Sequence, residues 1–152
     1  MKIIGIDPGF RGGWAYLEDG ELKLFGENPT TRLNKAGRLE IDLREQYRLW
    51  KPLEVDLFAV ELVGPLANAS RLASFSFGRN AADASAYARM MGYRIEYILP
   101  TTWKKEVLAG TDRSKQATLA WARRRWPKYE IPNHDGIGDA LAISEFAWRK
   151  FK

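Results

Sequence analysis

Residues 2–9 read Lys2-Ile3-Ile4-Gly5-Ile6-Asp7-Pro8-Gly9. An apolar, β-branched run that stops at a Pro-Gly break has the pattern of a buried strand. Branched side chains fit the pleated surface, and proline cannot continue the ladder. Asp7 then stands at the carboxyl end of the first strand, where open α/β sheets bind their ligands.

Working outward, Gly12 to Leu17 and Glu21 to Phe25 read as two short strands joined by Asp19-Gly20, a strong hairpin signal. Asn28 to Leu33 reads as loop. Gly37 to Lys51 carries Leu39, Leu43, Tyr47 and Trp50 close to helical spacing and stops before Pro52. Asp56 to Leu62 is a further strand, central in character from its Leu57-Phe58-Ala59-Val60 run. Gly64 to Gly78 reads as loop, Asn80 to Met91 as an alanine-rich helix, and Tyr93 to Leu99 as an alternating strand. Helices are predicted over Thr101 to Leu108, Ser114 to Trp126 and Gly136 to Lys150, with Thr101 and Ser114 as N-caps. This order predicts a mixed α/β fold, and 152 residues suit a single domain over 1–152.

Composition narrows the chemistry. The chain has no cysteine, which removes disulfides, thiolate nucleophiles and thiolate zinc sites. His134 is its one histidine, and no nucleophile elbow accompanies it. No apolar run is long enough for a membrane span and no secretory signal opens the chain, so no membrane role and a cytoplasmic location are expected. A net charge of +5 is compatible with nucleic-acid binding. The excess concentrates between Trp103 and Lys128, where lysines and arginines interleave with tryptophans. Such a stretch is either a solvated helix face with its Trp rings in the core or a phosphate-contacting surface.

Four carboxylates stand out. Glu61 ends an apolar strand, where a charge is costly to bury unless it is paired or binds a cation. Asp135 and Asp139 are four apart in His134-Asp135-Gly136-Ile137-Gly138-Asp139, so a helix presents both on one side despite their repulsion. An N-cap role accounts equally for Asp135. Asp7, Glu61, Asp135 and Asp139 together form an oxygen-only ligand set that matches Mg²⁺ or Mn²⁺ better than zinc. Two such ions activate water and stabilise a leaving oxygen at a phosphodiester.

Ile3-Ile4-Gly5-Ile6-Asp7-Pro8-Gly9, Ala59-Val60-Glu61 and the run from Asp135 to Ser144 (D-G-I-G-D-A-L-A-I-S) resemble, in order along the whole chain, the RuvC-type Holliday junction resolvases. The resemblance implies an RNase H-like fold, with a mixed central sheet of about five strands flanked by helices. It also implies a homodimer that uses divalent metal to place symmetric nicks in four-way DNA junctions. Asp7 matches the first-strand acid, Glu61 the middle-strand acid and Asp139 the last acid. The fourth group is Asp135 or, because the family often spaces its last two positions three apart, His134; Asp135 is preferred, with His134 supporting it. The short chain resembles the phage or viral branch, which would place it in host cytoplasm.

Pro100-Thr101-Thr102-Trp103-Lys104-Lys105 and Asp112-Arg113-Ser114-Lys115 resemble the family's stretch before its last helices. Lys104, Lys105, Arg113 and Lys115 are then DNA-binding candidates, with Lys115 near the scissile phosphate. The loop after Glu61 corresponds to the region that meets the junction centre, which makes Phe75 and Phe77 candidate wedges and Arg71 and Arg79 candidate phosphate contacts. Packing in the core is the competing role for both rings. The helix from Asn80 to Met91, with Ala81, Ala82, Ala84, Ala86 and Ala88, is a candidate dimer interface or equally a face packed on the sheet. Competing functions are an RNA nuclease of the YqgF type, a broader branched-DNA endonuclease and a non-catalytic binding module. A sugar-kinase-like ATPase needs two related domains, for which the chain is too short.

Overall fold

The computed structural model describes residues 1–32, 37, 39–64 and 70–152. Its main sheet comprises β1 (Lys2–Asp7), β2 (Gly13–Glu18), β3 (Glu21–Glu27), β6 (Leu57–Glu61) and β7 (Ile95–Ile98), in the order β3-β2-β1-β6-β7. The first three strands form an antiparallel meander. β6 lies parallel to β1, and β7 parallel to β6. The β2–β3 hairpin turns at Asp19 and Gly20, whose φ values of 50° and 82° suit the two-residue turn its sequence predicted.

The two faces of the sheet are covered by different helices, and strand alternation decides which side chain meets which. Ile4 and Ile6 of β1 and Phe58 and Val60 of β6 join Trp50, Tyr87 and Ala88 on one side. These belong to α1 (Leu43–Trp50) and α3 (Ala86–Met90), with Ala84 from α2 (Arg71–Ala84) in the same cluster. Ile3, Leu57 and Ala59 face the opposite side. There they meet α4 (Pro100–Val107) and α6 (Asp135–Phe151), while α5 (Lys115–Arg125) packs on α6. Asp7 and Glu61 continue this second alternation.

α6 lies close on β1 because Gly5 has no side chain. A β-carbon there would stand 2.6 Å from the Ala140 carbonyl oxygen and the Ser144 amide nitrogen. Its N-terminal turn meets the β1–β2 turn through a bridge between Gly12 and Gly136. The helix therefore runs antiparallel to β1, with its first turn at the carboxyl end of that strand.

Several local expectations are corrected. Part of the predicted loop after Asn28 is a strand, β4 (Thr30–Arg32), paired with β5 (Leu39–Ile41) where a helix was expected. Helix α1 starts only at Leu43, because Asp42 accepts from the amides of Arg44 and Glu45 and caps it. The predicted loop from Gly64 to Gly78 is helical from Arg71 onward, capped by Ser70; residues 65–69 of that loop lie outside the described residues. The alanine-rich segment is interrupted at Ser85, whose hydroxyl bonds back to the Ala82 carbonyl at 3.1 Å. Ala84 and Ala88 are buried inside this chain rather than offered to a partner. Pro100 opens α4, so Thr101 is not its cap, whereas Ser114 caps α5 as expected. Among the described residues no helix is long and apolar enough to cross a membrane.

Candidate active site

Asp7 and Glu61 end neighbouring parallel strands, one residue beyond the Ile6–Val60 pair. Both continue the side of the sheet that α4 and α6 cover. The first turns of α6 bring Asp139 to the same end of β1. The positive end of the helix dipole then faces the acids, which favours their ionised forms.

Burial and mutual repulsion oppose that ionisation. Removal from water, followed by the charges of Glu61 and Asp139, pushes Asp7 up to about 7. Asp139 is pushed up to about 6, first by burial and then by Glu61 and Asp135, against the opposing pull of Lys104 and Lys115. Glu61 is raised by burial and partly held down by a hydrogen bond from the Trp103 indole and by Lys104. The nearby Lys104 and Lys115 only partly offset the burial and mutual repulsion of these three carboxylates.

Asp135 is placed differently. It is exposed, and its Oδ2 accepts from the Lys115 ammonium at 2.9 Å. A surface pair of this kind holds by only about 0–1 kcal/mol, so it opens readily. His134, rather than Asp135, caps α6, with Nδ1 accepting from the Ile137 amide at 3.2 Å. In the neutral ring the proton then sits on Nε2, which lies 3.7 Å from a Glu27 carboxylate oxygen.

Among the described residues, no three acidic or histidine groups converge into a ready cation cage. The donor chemistry fits Mg²⁺ or Mn²⁺: oxygen ligands only, with an excess of negative charge from Asp7, Glu61 and Asp139 that a divalent cation would offset.

An open cleft of about 540 Å³ carries Asp7, Arg11, Phe77, Lys115, His134 and Asp135 on its walls. Of the two candidate wedges, Phe77 borders this cleft, while Phe75 is 69% exposed on α2. Glu61 borders an adjoining cleft beside Gly78 and Ala81. Lys104 sits over the Trp103 ring, 5.1 Å from its centroid. Lys105, Arg113 and Arg71 are exposed. Arg79 is drawn away from the acids: its guanidinium pairs with Glu40 and lies 3.8 Å from Asp83, in a cleft shared with Thr31 and Asp42.

Two residues that support the site carry no local signal in the sequence. Asn28 is buried in the segment after β3, and its side-chain amide donates to the carbonyls of Asp7 and Gly9 at 2.7 Å each. It pins the turn that carries Asp7. Trp103 bonds Glu61 through its indole nitrogen at 3.0 Å. The interleaved tryptophans drew attention to the region without indicating a carboxylate partner. Arg11, on the β1–β2 turn, borders the Asp7 cleft and also escaped notice in the sequence.

No family model matches the chain, and no curated protein does. Solved structures do match. T. thermophilus RuvC in complex with a Holliday junction substrate superposes with a TM-score of 0.70, at 19% identity, over 99% of this chain and 96% of that one. A Thermus thermophilus RuvC structure superposes with a TM-score of 0.63, at 21% identity, over 98% and 96% of the two chains. The chain has the RNase H-like fold, a mixed five-stranded sheet flanked by helices, in the form it takes in RuvC. The match spans nearly all of a bacterial chain, so short length does not single out a phage branch.

Proposed function

We propose that the chain is a metal-dependent endonuclease that resolves four-way DNA junctions, with residues 1–152 acting as one nuclease domain. The observation that carries this reading is that Asp7 and Glu61 end neighbouring strands, with Asp139 near enough for its charge to act on Asp7. Their acidities are coupled by burial and repulsion. The likeness to a RuvC bound to a Holliday junction substrate supports branched DNA as the substrate.

In this reading Asp7, Glu61 and Asp139 hold divalent metal, with Asp135 joining once Lys115 releases it. Mg²⁺ or Mn²⁺, as two ions per site, would supply a Lewis acid and an activated water for in-line attack on the phosphodiester. The protein's own part is to hold the acids and to bring the DNA backbone to them. Lys115, freed from Asp135, is placed to meet a phosphate oxygen beside the cut, and Lys104 balances charge behind Glu61 and Asp139. Phe77, on the cleft wall, is placed to pack against a base opened at the junction, with Phe75 further out on α2. Arg71, Lys105 and Arg113 extend the cationic surface. A nearly two-fold junction calls for two opposed active sites, which a homodimer supplies.

The test is cleavage of labelled four-way, three-way, duplex and RNA substrates with Mg²⁺ or Mn²⁺. Paired symmetric nicks in the four-way junction are expected, and they should vanish in Asp7→Asn while junction binding persists. Cutting of RNA alone would replace this reading with the YqgF type, and equal cutting of three-way forms would broaden it to branched DNA. Absence of cutting with either metal would refute it.

A further inference from the structure

We infer that Trp103 is a positioning residue for Glu61: its indole N–H holds Oε1 and so leaves Oε2 as the oxygen offered to a divalent cation. The inference rests on the metal-site reading of Asp7, Glu61 and Asp139, and it concerns how one of these acids is aimed.

Trp103 is fully buried, packed with Ile3, Leu57, Ala59, Ile98, Ala142 and Phe146 between the sheet and its helices. Close packing on this scale fixes the ring, and the ring fixes the direction of its one donor. That donor reaches Glu61 Oε1 at 3.0 Å, a bond between residues 42 positions apart. The chain does not require an acceptor for every buried indole, since Trp50 and Trp126 each bury an Nε1 that has no hydrogen-bond partner. Apolar packing accounts for those two rings. Trp103 differs in reaching a carboxylate.

Glu61 needs such a restraint. It has three side-chain torsions, and repulsion from Asp7 and Asp139 favours rotation away into the open cleft beside Gly78 and Ala81. A hydrogen bond to a charged acceptor is among the stronger ones available, and it removes that freedom. Lys104, the next residue on α4, sits over the indole and polarises it further toward the carboxylate. With Oε1 engaged, Glu61 offers a single oxygen. Mg²⁺ accepts only near-ideal octahedral geometry, which one fixed oxygen serves better than a mobile carboxylate.

The experiment uses the whole chain in three forms: unaltered, Trp103→Phe, and with benzothienylalanine at position 103, which keeps the ring shape but replaces the N–H by sulfur. In the metal-free ¹⁵N-labelled protein, the indole signal that disappears in Trp103→Phe should shift in Glu61→Gln and exchange slowly with water. Calorimetric titration with Mn²⁺ and with Mg²⁺ should show affinity falling about 10- to 100-fold in both position-103 variants, the usual effect of losing a partner that orients a metal ligand. In turnover, kcat should fall while KM for DNA holds. If Trp103→Phe fails to fold, the sulfur analogue decides. Unchanged cation affinity in a folded variant, or an indole signal that ignores Glu61→Gln, would overturn the inference. If the unaltered chain binds Mn²⁺ with these dependences yet cuts no nucleic acid, the nuclease reading fails and the Trp103 inference stands. If it cuts junctions and the variants match it throughout, the reverse holds. A chain that binds neither cation refutes both.

Discussion

Gly136 lies against Gly12 so closely that a β-carbon on Gly136 would stand 2.5 Å from the Gly12 α-carbon and 2.6 Å from the Arg11 carbonyl oxygen. The next residue along the turn is as close, for a β-carbon on Gly13 would meet the Gly136 carbonyl at 2.8 Å. Backbone fills both sides, so neither can yield as a flexible side chain would. This seam fixes the first turn of α6 at the end of β1, and with it the distance from Asp139 to Asp7.

Gly136→Ala should therefore displace the start of α6. Overpacking of this kind costs about 1–3 kcal/mol, read as a lower urea midpoint. A shift of about 1 Å between catalytic groups costs roughly 100-fold in rate, so cleavage should fall by at least that much. Gly78→Ala, inside α2 with nothing within 4 Å of the added carbon, should instead raise stability by about 0.5–1 kcal/mol.

The acids should make the metal-free protein less stable as pH rises. Asp7 ionises near 3.8 when unfolded and at about 7 when folded. Between those values the unfolded chain has released a proton that the folded chain keeps, so stability declines from about pH 4 to about pH 7 and levels above. Asp139, raised to about 6, adds to the same slope, and the two titrate together. In EDTA, Asp7→Asn should flatten this slope and raise stability at pH 8 by on the order of 2–4 kcal/mol. Added Mg²⁺ should stabilise the unaltered chain at pH 8 and leave Asp7→Asn almost unmoved. Thermal unfolding across pH 4–8 measures both.

Asn28→Ala removes two donors from the carbonyls of Asp7 and Gly9. Leaving such groups unpaired costs about 1–3 kcal/mol, measurable by urea unfolding. Cleavage should fall beyond the loss of folded protein, because the turn that carries Asp7 is no longer pinned. A variant with full activity per folded molecule would show that the turn holds its shape without Asn28.

If the chain binds branched DNA as proposed, the salt dependence of its affinity should report which cations face the phosphates. Replacing Lys105, Arg113 and Lys115 together by alanine should reduce the slope of log affinity against log salt by about 3, near one per lost phosphate contact. Arg79→Ala should leave that slope unchanged, because its guanidinium is committed to Glu40 and Asp83. A reduced slope in Arg79→Ala would place α2 on the DNA.

Much of the sheet was legible in the sequence. The apolar run ending at Asp7, the Asp19-Gly20 hairpin and the Leu57–Val60 strand all form as read, since each is specified by residues adjacent in the chain. The Gly37 to Lys51 segment misled because Leu39 and Leu43 share helical spacing, while pairing with β4 holds Leu39 in a strand. The helical start at Arg71 was missed because Gly64-Pro65 reads as the opening of a long loop, whereas Ser70 caps a helix there.

By itself the sequence determined the donor chemistry of the site and the ends of strands on which Asp7 and Glu61 stand. Composition is a property of the chain, and strand periodicity is set within a few residues. Only the tertiary structure decided that β1 and β6 are neighbours, that Gly5, Gly12, Gly13 and Gly136 admit α6 against them, and that Asp135 rests on Lys115 while His134 caps the helix. It also decided that Asn28 and Trp103 support Asp7 and Glu61. Hydrogen bonds spanning 21 and 42 positions leave no periodic trace in a sequence, because they depend on backbone approach and packing after the chain has closed on itself.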